Sequence, residues 1–118
     1  MIFDHVGKPN LGYRQQTWRL DGVASHGEAG YLIAAGPGRV NWTVAEPSGI
    51  VEALTGSVDG QRLELEAAAI ALAPGAKRVT AVERSLWVEG DVLRYELRIA
   101  MNDEPLADHI SGELRRAE

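Results

Sequence analysis

From Leu93 to Ile99 the chain alternates without a break. Leu93, Tyr95, Leu97 and Ile99 are apolar or aromatic, and the residues between them, Arg94, Glu96 and Arg98, are charged. Successive side chains of an extended strand point to opposite faces, so this order fits a strand with one face buried and the other in water. A polar turn, Met101-Asn102-Asp103-Glu104-Pro105, ends it, and a run containing His109 follows. A histidine at a strand end can carry an imidazole nitrogen to the mouth of a β-structure.

The rest of the chain reads the same way. Its 13 glycines and 5 prolines are spread as punctuation between short runs rich in Val, Leu, Ile, Thr, Trp and Tyr, which is the pattern of an all-β domain with frequent turns. Expected strands cover 2–5, 11–20, 25–34, 39–45, 50–58, 61–72, 77–88, 92–100 and 109–115. Gly7-Lys8-Pro9, Gly36-Pro37-Gly38 and Glu46-Pro47-Ser48-Gly49 read as turns, and Asp21-Gly22, Asp59-Gly60 and Glu89-Gly90-Asp91 as hairpins. In 11–20, Leu11, Tyr13, Gln15 and Thr17 share one face while Trp18 and Leu20 fall on the other, which predicts a register change or burial on both sides. Segment 61–72 is ambiguous: Arg62 to Glu66 alternates like a strand, but Ala67 to Ala71 has high helix propensity. Its neighbours are strands and Pro74-Gly75 stops it early, so it is read as a strand. About nine sequential antiparallel strands make an up-and-down barrel or a meander in a single domain, 1–118.

Composition narrows the chemistry. The 118 residues suffice for a real core, and the absence of cysteine excludes disulfides, thiolate metal sites and thiol catalysis. A net charge of −5 without a basic stripe argues against nucleic acid. No apolar run is long enough to span a bilayer and no signal peptide is evident, so the expectation is a soluble cytoplasmic protein without a membrane partner.

Five segments in register resemble the nitrobindin family, small haem-binding β-barrels of lipocalin or fatty-acid-binding-protein shape. They are Phe3-Asp4-His5-Val6-Gly7-Lys8-Pro9 continuing to Thr17-Trp18, then His26 to Leu32, Pro47 to Glu52, Ala76 to Val79, and Leu93 through Pro105-Leu106 to His109. The resemblance implies an up-and-down antiparallel barrel of about nine strands, its closure left open, holding ferric haem b. It implies that His109 is the axial iron ligand, that His26, with Ser25 beside it, lies on the distal side, that Lys77 contacts the haem, and that Ile99 lines the pocket. It further implies nitric oxide binding and isomerisation of peroxynitrite to nitrate, which asks for an open iron position and no protein nucleophile.

The chain departs from the family at its start, where a Gly-x-Trp-x-Gly-x-Gly strand would precede Phe3. Either the start codon is mis-assigned or this is a short variant. In the second case two strands are left as open edges, and a homodimer pairing through them, or a smaller closed barrel, would resolve the problem. Read from the residues alone, His109 alternates with Ser111 and Glu113, opposite Ile110 and Leu114; to face inward it needs a strand that begins after it or a bulge. His5 reads as structural, Trp18, Trp42 and Trp87 as core or sheet-face residues, and Glu52, Glu64 and Glu66 as a solvated face. The functional expectation is a haem protein acting on nitrogen oxides. The alternatives are a haem-free barrel for a small apolar ligand and an interaction module working through its edge strands.

Overall fold

The structure, a computed structural model, describes residues 1–7 and 9–116; Lys8, in the expected turn after Gly7, lies outside the described residues. Nine strands follow one another: β1 (Ile2–His5), β2 (Asn10–Trp18), β3 (Ala24–Ala34), β4 (Arg39–Ala45), β5 (Ile50–Asp59), β6 (Arg62–Leu72), β7 (Val79–Glu89), β8 (Val92–Met101) and β9 (Ala107–Arg115). Each pairs antiparallel with the next, giving one sheet in the order β1 to β9. The sheet curls into a half-barrel with β1 and β9 at its ends. The alanine run of β6 stays extended, because a strand between β5 and β7 gains ladder hydrogen bonds and burial that outweigh the helix preference of alanine.

Alternation decides the inside. Tyr13, Trp42, Val44, Leu54, Leu65, Val82, Leu86 and Leu97, drawn from six strands, form one buried cluster. Tyr13 stands edge-on to Trp42 with ring centroids 4.7 Å apart, and Phe3 of β1 closes against Tyr13 at 5.1 Å. Trp42, 1% exposed, is thus the core residue expected. Trp18 is the sheet-face alternative: 64% exposed, it keeps the outward phase of Arg14 and Gln16 near the β2–β3 hairpin. Trp87 is half-buried and carries the Arg62 guanidinium 4.6 Å above its ring.

Four register irregularities shape the curl. Ala68 of β6, Thr80 of β7 and His109 of β9 are each an extra residue against the partner strand, and on β3 Ser25 and His26 together face Thr17 of β2. The β6–β7 ladder runs only from Arg62↔Trp87 to Glu66↔Glu83. All four irregularities lie towards the end of the sheet that carries the β2–β3 hairpin and the β6–β7 loop, which bends the strands there.

Two glycines set how tightly the strands can turn. A Cβ on Gly30 would fall 1.7 Å from the Thr43 carbonyl oxygen, and one on Gly56 would fall 1.8 Å from that of Glu64. Backbone cannot yield as a side-chain tip can, so Gly56→Ala is expected to cost about 3 kcal/mol or more. Urea denaturation checks this; a loss well below 1 kcal/mol would show that β5 and β6 separate easily.

Candidate functional site

Three strands place a charged residue where their alternation calls for an apolar one. Glu28 lies in the inward phase of β3, Glu52 between Ile50 and Leu54 on β5, and Arg84 between Val82 and Leu86 on β7. The curl brings them together at its centre. Arg84 donates through Nη1 to Glu28 Oε1 at 2.7 Å and through Nη2 to Glu28 Oε2 at 3.2 Å. It also donates through Nε and Nη2 to the two oxygens of Glu52, at 3.1 and 2.9 Å. Tyr13 donates its hydroxyl hydrogen to the Glu28 carboxylate, and Gln15 Nε2 donates to the Tyr95 hydroxyl at 3.3 Å.

Burial and charge oppose each other here. Burial would raise the Glu28 carboxyl, but the Arg84 guanidinium and the donors on Tyr13 and His26 hold it below the usual carboxylate value. Burial would likewise lower Arg84, and the two facing carboxylates raise it instead. Burial and the neighbouring Glu28 charge push the Tyr13 phenol well up, so it stays a neutral donor. Glu52, read from sequence as part of a solvated face, is 2% exposed. Its place in phase with Ile50 and Leu54 was the available signal, and the same signal would have found Glu28 and Arg84.

Beside this ion pair lies a cavity of about 270 Å³, lined on one side by Ser25, His26, Thr17 and Gln15 and on the other by Leu86, Tyr95, Leu97 and Ile110. The β3 bulge holds His26: its backbone N–H donates to Thr17 Oγ1 at 3.1 Å, and its Nε2 donates to Glu28 Oε2 at 2.9 Å. Glu46 follows β4, pinned by its backbone N–H donating to the Ile50 carbonyl at 2.9 Å. Its carboxyl is pushed up to about 7, first by burial and then by the adjacent Glu52 charge, against the pull of Arg84.

His109 takes the extra position of β9, between Ile110, which faces Leu97, and Asp108, which faces Arg98. The bulge that strand alternation demanded of an inward-facing His109 is therefore present. The imidazole nevertheless does not turn inward: it is exposed in a shallow cleft with Glu96, Leu97, Asp108, Ile110 and Ser111. Leu97 and Ile110 also line the cavity that holds Ser25 and His26, so the two regions adjoin. Ile99 is half-buried opposite Ala107. Lys77 is exposed in the β6–β7 loop, beside Arg78, whose carbonyl accepts from Asn102 N–H at 2.8 Å. His5 lies apart at the end of β1, its Nδ1 accepting from the Gly7 N–H at 3.1 Å.

Comparison with known proteins matches residues 1–116 to the family described as THAP4-like, heme-binding beta-barrel domain. The chain is 45% identical to a protein of Mycobacterium tuberculosis named peroxynitrite isomerase 1, covering 98% of this chain and 76% of that protein. It is 44% identical to peroxynitrite isomerase 2 of Mycobacterium ulcerans, covering 98% and 75% respectively. The crystal structure of Rv2717c from M. tuberculosis superposes with a TM-score of 0.90 at 45% identity, over 99% of this chain and 78% of that one.

Replacing Arg84 by Met leaves buried carboxylates without their cation, and is expected to lower stability by about 3–5 kcal/mol in chemical denaturation. The pH dependence separates the carboxylates. Glu28, with its depressed pKa, stabilises above the usual carboxylate value, and that contribution goes as pH falls through its folded value. Glu46, raised to about 7, does the reverse: its contribution is complete below the ordinary carboxylate value and is lost as pH rises through about 7. Denaturation curves between about pH 5 and about pH 8 should show a stability decline in the native protein that Glu46→Gln flattens.

Proposed function

The chain belongs to the THAP4-like, heme-binding β-barrel family, the nitrobindins, and from that premise we propose that it binds ferric haem b through His109 and isomerises peroxynitrite to nitrate. The family match over residues 1–116 carries this reading. An extra residue interrupts the β9 ladder at His109, whose exposed imidazole shares a cleft with Ser111 on one side and with Leu97 and Ile110 on the other.

Haem asks a protein for an axial donor, an apolar wall and a cation for its carboxylates. The residues near β9 fit that set. His109 offers a neutral imidazole, Leu97, Ile99 and Ile110 offer apolar surface, and Lys77 and Arg78 offer positive charge at the same end of the sheet. The chain has no cysteine, so haem would be held without thioether bonds, as the b type is. When bound, haem supplies a Lewis-acidic iron with one position open to a diatomic or an anion.

The protein's own part is to bind and to orient. His109 would hold one side, Ile99 and Ile110 would keep bulk water from the face, and Ser25 and His26 would border the opposite side of the cavity. Peroxynitrite and nitrate have the same atoms and charge, so no side chain has to supply a proton, electron or nucleophile. The mycobacterial relatives named for this isomerisation support the reading.

A second reading rests on a separate apolar cavity of about 260 Å³ beyond Trp42, lined by Phe3, Leu11, Leu32, Leu63, Leu86 and Leu93. That surface suits a small apolar ligand, as in the fatty-acid-binding proteins of similar shape. Strands β1 and β9 also offer unpaired edges to a second copy, which sedimentation would detect.

Addition of haem to the purified protein should give a Soret band that nitric oxide shifts. His109→Ala should weaken haem binding by about tenfold or more and abolish nitrate formation from peroxynitrite. A Soret band and affinity untouched by His109→Ala would overturn the assignment. Displacement of an apolar fluorophore with no haem uptake would instead favour the second reading.

A further inference from the structure

We propose that His26, Glu28 and Glu46 form a binding site for one divalent transition-metal ion of the Zn²⁺ class, in the wall of the cavity proposed for haem but apart from His109. Their ligand atoms converge. His26 Nε2 is 2.9 Å from Glu28 Oε2 and 3.9 Å from Glu46 Oε1, and one ligand atom from each residue falls within 4.8 Å of the others. A tetrahedral zinc ion with bonds of about 2.0–2.2 Å sets its ligand atoms about 3.3 Å apart, so small side-chain rotations would close the site.

Glu46 is the independent sign of a missing partner. Its side chain is only 7% exposed, and among the described residues its carboxyl meets no N–H donor at hydrogen-bond distance; it is held against the Glu52 carboxyl instead. The nearest cation, Arg84 Nη2, is 3.7 Å away and already donates to both Glu28 and Glu52. Two carboxyls held against each other repel unless one keeps its proton or a cation comes between them. Charge points the same way. Glu28, Glu46 and Glu52 surround a single guanidinium, so negative charge exceeds positive in the cluster whether or not Glu46 holds its proton, and a divalent ion would offset it.

The surroundings suit a metal ligand set. His26 is positioned by the β3 bulge, Glu28 by Tyr13 and Arg84, and Glu46 by the turn after β4. Such outer hydrogen bonds orient ligands and sharpen affinity. His26 is 32% exposed and lies in the cavity wall, which gives an ion a way in. An imidazole with two carboxylates favours Zn²⁺ over Mg²⁺, which prefers an octahedron of oxygens. Binding would displace the proton that His26 Nε2 now donates to Glu28.

Equilibrium dialysis of the full chain against Zn²⁺, with metal analysis and thermal unfolding, tests this. The native protein should take up one Zn²⁺ in excess Mg²⁺, and its unfolding temperature should rise. His26→Ala and Glu46→Gln should each weaken uptake by about a hundredfold and abolish the rise, because losing a ligand costs no less than losing its outer support. His109→Ala should retain uptake, which separates this site from the haem reading. If Glu46→Gln does not fold, the partly exposed His26→Ala decides alone. The proposal fails if no stoichiometric zinc binds. It also fails if uptake survives His26→Ala and is lost in His5→Ala or His109→Ala.

Discussion

One guanidinium organises the interior of this sheet. Arg84 comes from β7 and reaches carboxylates on β3 and β5, strands that do not neighbour it in the sheet order. A buried ion pair of this kind costs desolvation on both sides and repays it only with good geometry. Here Arg84 contacts both oxygens of Glu28 and both of Glu52, and Tyr13 and His26 also donate to Glu28. The contacts are as specific as they are expensive. They are satisfied only if the half-barrel curls enough to bring β3, β5 and β7 face to face.

That arrangement divides the concave side into two regions. Beyond Trp42 and Leu86, towards the β5–β6 and β7–β8 hairpins, the lining is apolar. On the other side, polar groups of β2 and β3 face the apolar edge of β8 and β9. The register irregularities gather at this second end, and two of them carry histidines, His26 and His109. A bulge can turn a side chain away from the phase its strand would impose. Here His26 keeps the inward phase of Glu28, while His109 stays exposed.

Much of the fold was legible because strands leave a strong mark. Every one of the nine strands was expected near its observed bounds, and positive φ at Gly22, Gly60 and Gly90 matches the expected hairpins. Segment 62–72 shows the limit of local propensity. Its alanines favour a helix in isolation, and only the ladders on either side resolve it. The site was legible less evenly. His26 and His109 were singled out through the family resemblance, whereas Glu28 and Arg84 were passed over and Glu52 was taken for a solvated residue. A lone charge in an inward position reads as an exception until its partner is known, and these partners lie 32 and 56 positions apart.

Taken alone, the sequence determined that the chain is a run of antiparallel strands, where each turns, and which side chains share a face, because these follow from a period of two residues and from turn chemistry. Tertiary structure decided the rest. Two residues opposite one in a ladder, three carboxylates around one cation, and two histidines bordering adjoining cavities all depend on how strands slide and curl against each other. That is a property of paired strands, and no single strand records it.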